Sequence, residues 1–221
     1  MTAKELISDV IPYLRTSDTG LDALNWMEVF RISHLPIVNN EVFLGLITDS
    51  DIYDLNIAEE AIGNHNLSLM QPYVYQHQHL YEVIEIVSRL KLTIVPVLDA
   101  KKKFLGVISI NDIAHSFAHL TAIQTPGGII VLELALRDYS LADITQIIEG
   151  NNAKILSLYV SSPSNSSSIE ITIKVNKIDL TSILQTFYRK NYRVKNTFST
   201  DNKSDLIRRD RFESFLNYLN I

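Results

Sequence analysis

Phe43-Leu-Gly-Leu-Ile-Thr-Asp-Ser-Asp-Ile52 and Phe104-Leu-Gly-Val-Ile-Ser-Ile-Asn-Asp-Ile113 decide the fold of this chain, because they are one pattern written twice. Gly45 and Gly106, Thr48 and Ser109, and Asp51 and Asp112 each lie 61 residues apart. Upstream, His34-Leu-Pro-Ile-Val-Asn answers Ile94-Val-Pro-Val-Leu-Asp, and Pro36 and Pro96 lie 60 apart. The one-residue slip falls where Asn39-Asn40-Glu41 faces Asp99 to Lys102, a polar turn, and turns are where insertions are tolerated. A duplication of this length sets the architecture before any single residue is weighed.

Each copy reads as a helix, two short apolar strands joined by a polar turn, and a second helix. In the second copy Leu80, Val83, Ile84, Val87 and Leu90 carry the spacing of one buried helix face. In the first, Leu21, Leu24, Met27 and Phe30 do the same, with Ser17, Asp18 or Thr19 as the cap. The strands fall at residues 35–38 with 42–48, and 94–98 with 104–110, in hairpin order. The closing helices open at Asp51 and Asp112.

A helix, an h-P-h-V strand, a polar turn and a strand ending in G-h-h-S/T-x-x-D resemble the CBS domain, the module named after cystathionine β-synthase. Two in tandem resemble the pseudo-twofold CBS pair, or Bateman module, over residues 1–60 and 61–123. The resemblance implies an adenine-nucleotide site in each of two clefts, where the G-h-h-S/T-x-x-D segment holds phosphate and ribose and the h-P strand lines the base. Carried over, one cleft takes Ser109, Asn111 and Asp112 with Thr16, Ser33, His34 and Pro36. The other takes Thr48, Ser50 and Asp51 with Tyr75, Thr93, Ile94 and Pro96. The clefts differ. Asn111 beside Ser109 is neutral and His34 can donate to a phosphate, whereas Asp49 adds a negative charge beside Thr48. The Asp112 cleft is therefore the favoured one. Few Lys or Arg accompany either motif, which favours an AMP-like ligand among AMP, ADP, ATP and S-adenosylmethionine. Lys101–Lys103 read as a solvated turn.

Gln124-Thr-Pro-Gly-Gly128 marks a boundary, after which the pattern changes. Strands are expected at 129–136, 153–161, 169–175 and 192–198, and helices after Ser140 and around Leu180 to Phe187. The order β-α-β-β-α-β is the ferredoxin-like unit. After a CBS pair it resembles an ACT domain over residues 124–200, and the whole chain is similar to acetoin-utilisation-type CBS–ACT regulators. Arg137-Asp-Tyr-Ser140 lacks the glycine of the amino-acid-binding ACT turn, so a structural or dimerising role is expected for this part. A last helix over 201–221 is expected to dock through Phe212, Phe215, Leu216 and Leu219. The fold class is thus α+β, with α/β-like CBS repeats.

The bulk numbers narrow the function. A chain of 221 residues, 46% hydrophobic and 20% charged, can bury a real core in one or two units. A net charge of −5 argues against nucleic acid, which needs a basic face. The absence of cysteine removes disulfides, thiolate metal sites and cysteine nucleophiles. No stretch approaches the roughly 20 apolar residues of a membrane span, and the N-terminus does not read as a signal peptide. A cytoplasmic homodimer joined through the CBS pair is expected, without cofactor or metal. His115 with His119, and the Gln76-His-Gln-His79 loop, have metal-like spacing but lack a complete ligand set. Asp49, Asp51 and Asp54 read as helix-start residues, Arg208, Arg209 and Arg211 as a solvated face, and Trp26 with Phe30 as core. No nucleophile, metal set or base pair stands out, so catalysis is not expected. The alternative to a sensor is a structural module with vestigial clefts.

Overall fold

The computed structural model describes residues 1–55, 58–65, 69–162 and 168–199. The helix expected over 201–221, with its arginines, lies outside the described residues. The chain divides into two compact units, Met1–Phe117 and Ala118–Ile221. The division falls inside a helix, ahead of the Gly127-Gly128 pair.

The first unit holds both copies. Copy one is α1 (Gly20–Phe30), β1 (His34–Asn39), β2 (Val42–Thr48) and α2 (Asp49–Leu55). Copy two is β3 (Val74–Tyr75), α3 (Leu80–Leu90), β4 (Ile94–Leu98), β5 (Phe104–Ser109) and α4 (Ile110–Leu120). β1 pairs antiparallel with β2, β4 pairs antiparallel with β5, and β3 lies parallel to β4. Leu14 makes the matching parallel bridge to Ile37 in copy one.

The duplication reaches the backbone. Thr19 caps α1 through Asp22, and His79, 60 residues on, caps α3 with Glu82. Arg31 and Lys91 end these helices in the left-handed conformation, φ 55° and 54°. The buried face of α3 uses Leu80, Val83 and Val87, as its spacing predicts. In α1 the equivalent positions are Gly20, Ala23 and Met27, and Leu21 is 50% exposed. Leu24, Met27 and Phe30 of the expected face do pack on the core, and only Leu21 is displaced, because a glycine, which periodicity cannot mark as apolar, holds the first inward position. Trp26 stacks on Phe30 at 6.0 Å yet stays 43% exposed, so only Phe30 packs against the core.

The segments preceding each copy are exchanged. Residues near the N-terminus lie on copy two: Ala3 N–H donates to Gln78 O, Lys4 N–H to Gln76 O and Ser8 N–H to Val107 O. The segment after α2 lies on copy one: Ile62 N–H donates to Asp18 O, Gly63 N–H to Thr16 O, and Leu46 N–H to Met70 O. Ala3 and Leu6 join the Val74–Leu80–Val83–Val97–Ile108 core, while Ile62 joins the core around Leu35 and Ile47. This exchange explains the repeated glycines. Gly45 (φ +154°) leaves no room for a Cβ because Leu69 Cβ would stand 2.5 Å away, and Gly106 (φ +152°) is crowded the same way by Ile7 Cγ2. Each also directly follows the extra residue of its hairpin's β-bulge, Leu44 or Leu105.

β4 is buried on both faces. Ile94, with Val107 of β5, enters the first-copy core, whereas Val95 and Val97 enter the second. Its continuous apolar run is the signature of that placement.

The second unit is a four-stranded antiparallel sheet of β6 (Gly128–Ala135), β7 (Ile155–Ser161), β8 (Ser168–Val175) and β9 (Arg193–Phe198). Its order is β7-β8-β6-β9, with α5 (Leu141–Gly150) after β6 and α6 (Thr181–Arg189) after β8. This is the ferredoxin-like arrangement. β8 alternates between half-buried residues and buried Ile169, Ile171, Ile173 and Val175, which meet Ile144, Ile148, Ile183 and Phe187 from the helices. No helix of the described residues is long and apolar enough to cross a membrane.

Candidate functional site

Both duplicated turns fold identically. Ser109 N–H and Oγ–H donate to Asp112 Oδ2 at 2.9 and 2.6 Å, and Asp112 N–H donates back to Ser109 Oγ at 3.1 Å. Thr48 and Asp51 repeat the three bonds at 2.8, 2.7 and 3.0 Å. Each turn is a capping box, so helix capping is one role of these residues. The box commits each hydroxyl's single proton to its carboxylate, and that proton is unavailable to a phosphate while the cap holds. Only Oδ2 of each aspartate is engaged by described residues. Asp112 Oδ1 and Asp51 Oδ1 remain as acceptors.

The next N–H groups separate the two turns. Ile110 N–H donates to Thr93 O at 3.1 Å, and Asp49 N–H reaches Ser33 O at 3.4 Å. One residue further, Ser50 N–H is covered by Asp49 Oδ1 at 2.8 Å. The matching Asn111 N–H meets no acceptor among the described residues, and Asn111 is exposed. The start of α4 therefore offers an open donor beside an open carboxylate oxygen, where α2 offers a donor already taken by an acid.

The two copies touch through His34 and Thr93. Ser33 N–H donates to Thr93 Oγ1 at 3.0 Å, and His34 Nδ1 lies 3.0 Å from the same oxygen. Thr93 N–H points back at His34 Nδ1 at 3.4 Å. His34 is the register partner of Thr48, as Ile94 is of Ser109. Burial lowers the His34 pKa from its ordinary value, opposed by the charges of Asp49 and then Asp51. The imidazole thus sits in the field of the copy-one acids, and its Nδ1 is engaged by Thr93.

The remaining residues lie elsewhere on the strands. Pro36, Pro96 and Ile94 are buried. Thr16 exchanges two bonds with Asn39, from Asn39 Nδ2 to Thr16 Oγ1 at 2.8 Å and from Thr16 N–H to Asn39 Oδ1 at 3.3 Å. Tyr75 pairs with Leu98, at the turn end of β4 and about 13 Å along the strand from Ile94. Its hydroxyl lies 3.5 Å from that of Tyr73, and this contact, ahead of burial, raises the Tyr75 pKa. Asn39 and Tyr73 escaped the sequence reading, although Tyr13 and Tyr73 stand 60 residues apart like the prolines. Arg15 escaped it too. With Tyr13, Val38, Asn39, Asn40 and Glu41 it lines a polar hollow of about 360 Å³ at the turn end of β1.

The histidines of the loop before α3 are occupied locally. His79 Nδ1 accepts from Tyr81 N–H at 3.3 Å, and His77 stacks on Tyr75 at 5.7 Å. Among the described residues no group of three or more His, Cys, Asp or Glu is placed to hold a metal ion.

Residues 3–56 and 68–119 match the family model of the CBS domain. The chain belongs to the proteins that carry CBS domains as a tandem pair. Inosine-5′-monophosphate dehydrogenase of Methanocaldococcus jannaschii is 24% identical over 147 residues, 65% of this chain, and the chain spans only 29% of that enzyme. Among solved structures, a CBS domain pair/ACT domain protein from Thermotoga maritima is 18% identical with a TM-score of 0.48, covering 54% of this chain and 98% of that one. A candidate acetoin utilization protein from Vibrio cholerae is 22% identical with a TM-score of 0.48, covering 56% and 95%. CBSX2, solved in complex with AMP, is 18% identical with a TM-score of 0.45, covering 53% and 96%.

Proposed function

We propose that this chain is a regulatory sensor that binds an AMP-like adenine nucleotide between its CBS repeats, at the turn formed by Ser109, Asn111 and Asp112. One observation carries the reading: the start of α4 leaves Asn111 N–H and Asp112 Oδ1 open, while Asp49 covers the equivalent donor of copy one. The N–H at a helix start suits a phosphate oxygen, and the carboxylate oxygen suits a ribose hydroxyl. A single monophosphate needs few cations. His34, whose pKa burial lowers, supplies little positive charge at neutral pH. The protein acts without catalysis, as a cytoplasmic homodimer joined through the CBS pair. The ferredoxin-like unit serves as an ACT-like structural element, since the turn after β6 is a 3-10 turn without glycine.

A second reading is supported by the caps themselves. If they are the whole purpose of the two turns, the clefts are vestigial and the chain is an interaction module. Calorimetry with AMP, ADP, ATP and S-adenosylmethionine separates the two. The sensor reading expects heat with AMP, and a ligand at about 100 times its Kd stabilises by about 2.7 kcal/mol, enough for a clear rise in Tm. Asp112→Ala should abolish both signals, and Asp51→Ala should leave them. Silence from all four ligands with an intact oligomer would establish the interaction module instead.

A further inference from the structure

We infer that the hollow at the turn end of β1 is a second binding site, for a small organic oxyanion (a carboxylate or a phosphate monoester), with Arg15 as its anchor. The hollow, about 360 Å³, is lined by Tyr13, Arg15, Val38, Asn39, Asn40 and Glu41, and that volume suits a small ligand. Asn39 stands about 17 Å along β1 from His34, so the hollow is separate from the turn of Ser109 and Asp112.

The charges are arranged for an anion. Arg15 is exposed, and its guanidinium meets no acid and no acceptor among the described residues. Only its backbone is engaged, with Arg15 N–H donating to Asp18 Oδ2 at 2.7 Å. Glu41, the one acid of the lining, is already paired with Lys103 at 2.7 Å. That pair, with Phe104 N–H donating to Glu41 O at 2.8 Å, joins this turn to the next hairpin turn. There Lys101 and Lys102 are exposed without an acidic partner among the described residues, while Asp99 Oδ1 accepts from the Lys101 and Lys103 N–H groups. An entering anion therefore meets an unspent guanidinium fork, and each neighbouring carboxylate is already committed. The other lining residues give shape. Asn39 is locked by its two bonds with Thr16. Tyr13, 45% exposed and edge-on to Phe104 at 5.7 Å, offers an aromatic wall for the ligand's apolar body.

Copy two is the internal contrast. Sixty residues on, Tyr75 replaces Arg15 and Asp99 replaces Asn39. The Tyr75 ring stacks on His77 at 5.7 Å and its hydroxyl lies 3.5 Å from that of Tyr73. A phenol beside an acid does not attract an anion, so the site belongs to copy one.

The full-length protein is titrated with sodium phosphate and with sodium succinate while the proton–nitrogen signal of Arg15 Nε–H is followed. Sodium chloride at matched ionic strength is the reference. Phosphate, succinate or both should move that signal along a saturating curve, and the anion that does so identifies the head group. Asp112→Ala should leave the response unchanged, which separates this site from the proposed nucleotide turn. In that background Arg15→Lys should weaken the saturable rise in Tm at least about tenfold in anion concentration, because an ammonium cannot match the fork, and Arg15→Gln should remove it. A shift that chloride reproduces, or one that grows without saturating, is ion screening and overturns the inference. So does an Arg15 signal that neither anion moves, or a rise in Tm that survives Arg15→Gln.

Discussion

Asp112 has two tasks on its two oxygens. Oδ2 holds the cap of α4, and Oδ1, open among the described residues, is the oxygen that the proposed sensor role assigns to the ligand. Asp112→Ala should therefore lower stability by about 1 kcal/mol as a lost cap, besides removing the nucleotide response. A chemical melt without ligand measures the first effect and titration the second. Asp51→Ala should show the cap loss alone. His34 supplies a separate prediction. Its pKa is lowered in the folded state, so the unfolded chain binds the proton more readily. The stability contributed by neutral His34 is complete above its ordinary pKa of 6.5 and is lost as pH falls from there through the folded value. His34→Gln should flatten that part of the curve of stability against pH. An unchanged acid limb would show that the imidazole titrates freely.

The glycines and exchanged segments act at the scale of elements. Both Gly45 and Gly106 hold a φ that side chains rarely adopt, so alanine at either should cost on the order of 1–3 kcal/mol. The losses should be unequal. At Gly45 a new Cβ meets Leu69 Cβ at 2.5 Å and Met70 O at 3.0 Å, whereas at Gly106 it meets a methyl of Ile7, which can rotate away. Urea melts should place Gly45→Ala below Gly106→Ala, and Ile7→Ala should soften the second substitution in a double-mutant cycle. The glycine and the T/S-x-x-D turn are visible in the sequence as recurring letters. That the glycine exists to receive a side chain from the preceding segment is not visible, because that side chain belongs to a different copy's stretch of sequence.

For the whole first unit, the exchange makes the two copies interdependent. Removing residues 1–10 strips Ala3 and Leu6 from the copy-two core, and burial of one Leu alone is worth about 1.5–3 kcal/mol. The truncated chain should melt at a lower temperature, with amide protection lost first in α3, β4 and β5. Preferential loss in α1 and β1 would contradict the exchanged packing. Boundaries drawn at residue 60 describe the duplication, whereas the packed bodies interleave across that line.

The duplicated repeat, the hairpins, the second βαββαβ unit and the hydroxyl–aspartate pairs are legible in the amino-acid order alone, because they rest on local periodicity and on a spacing preserved within one residue. That order placed Leu24, Met27 and Phe30 of α1 on the core but not the first inward position, where Gly20 replaces an apolar marker. Nor could it show that His34 faces Thr93 and the copy-one acids, since that neighbourhood is formed by strands 59 residues apart. The difference between the two turns was foreshadowed by Asp49 against Ile110 and by Ser50 against Asn111. Only the tertiary structure turned it into a donor that is covered in one copy and open in the other, because hydrogen bonding depends on where a carboxylate points and sequence spacing does not fix that direction.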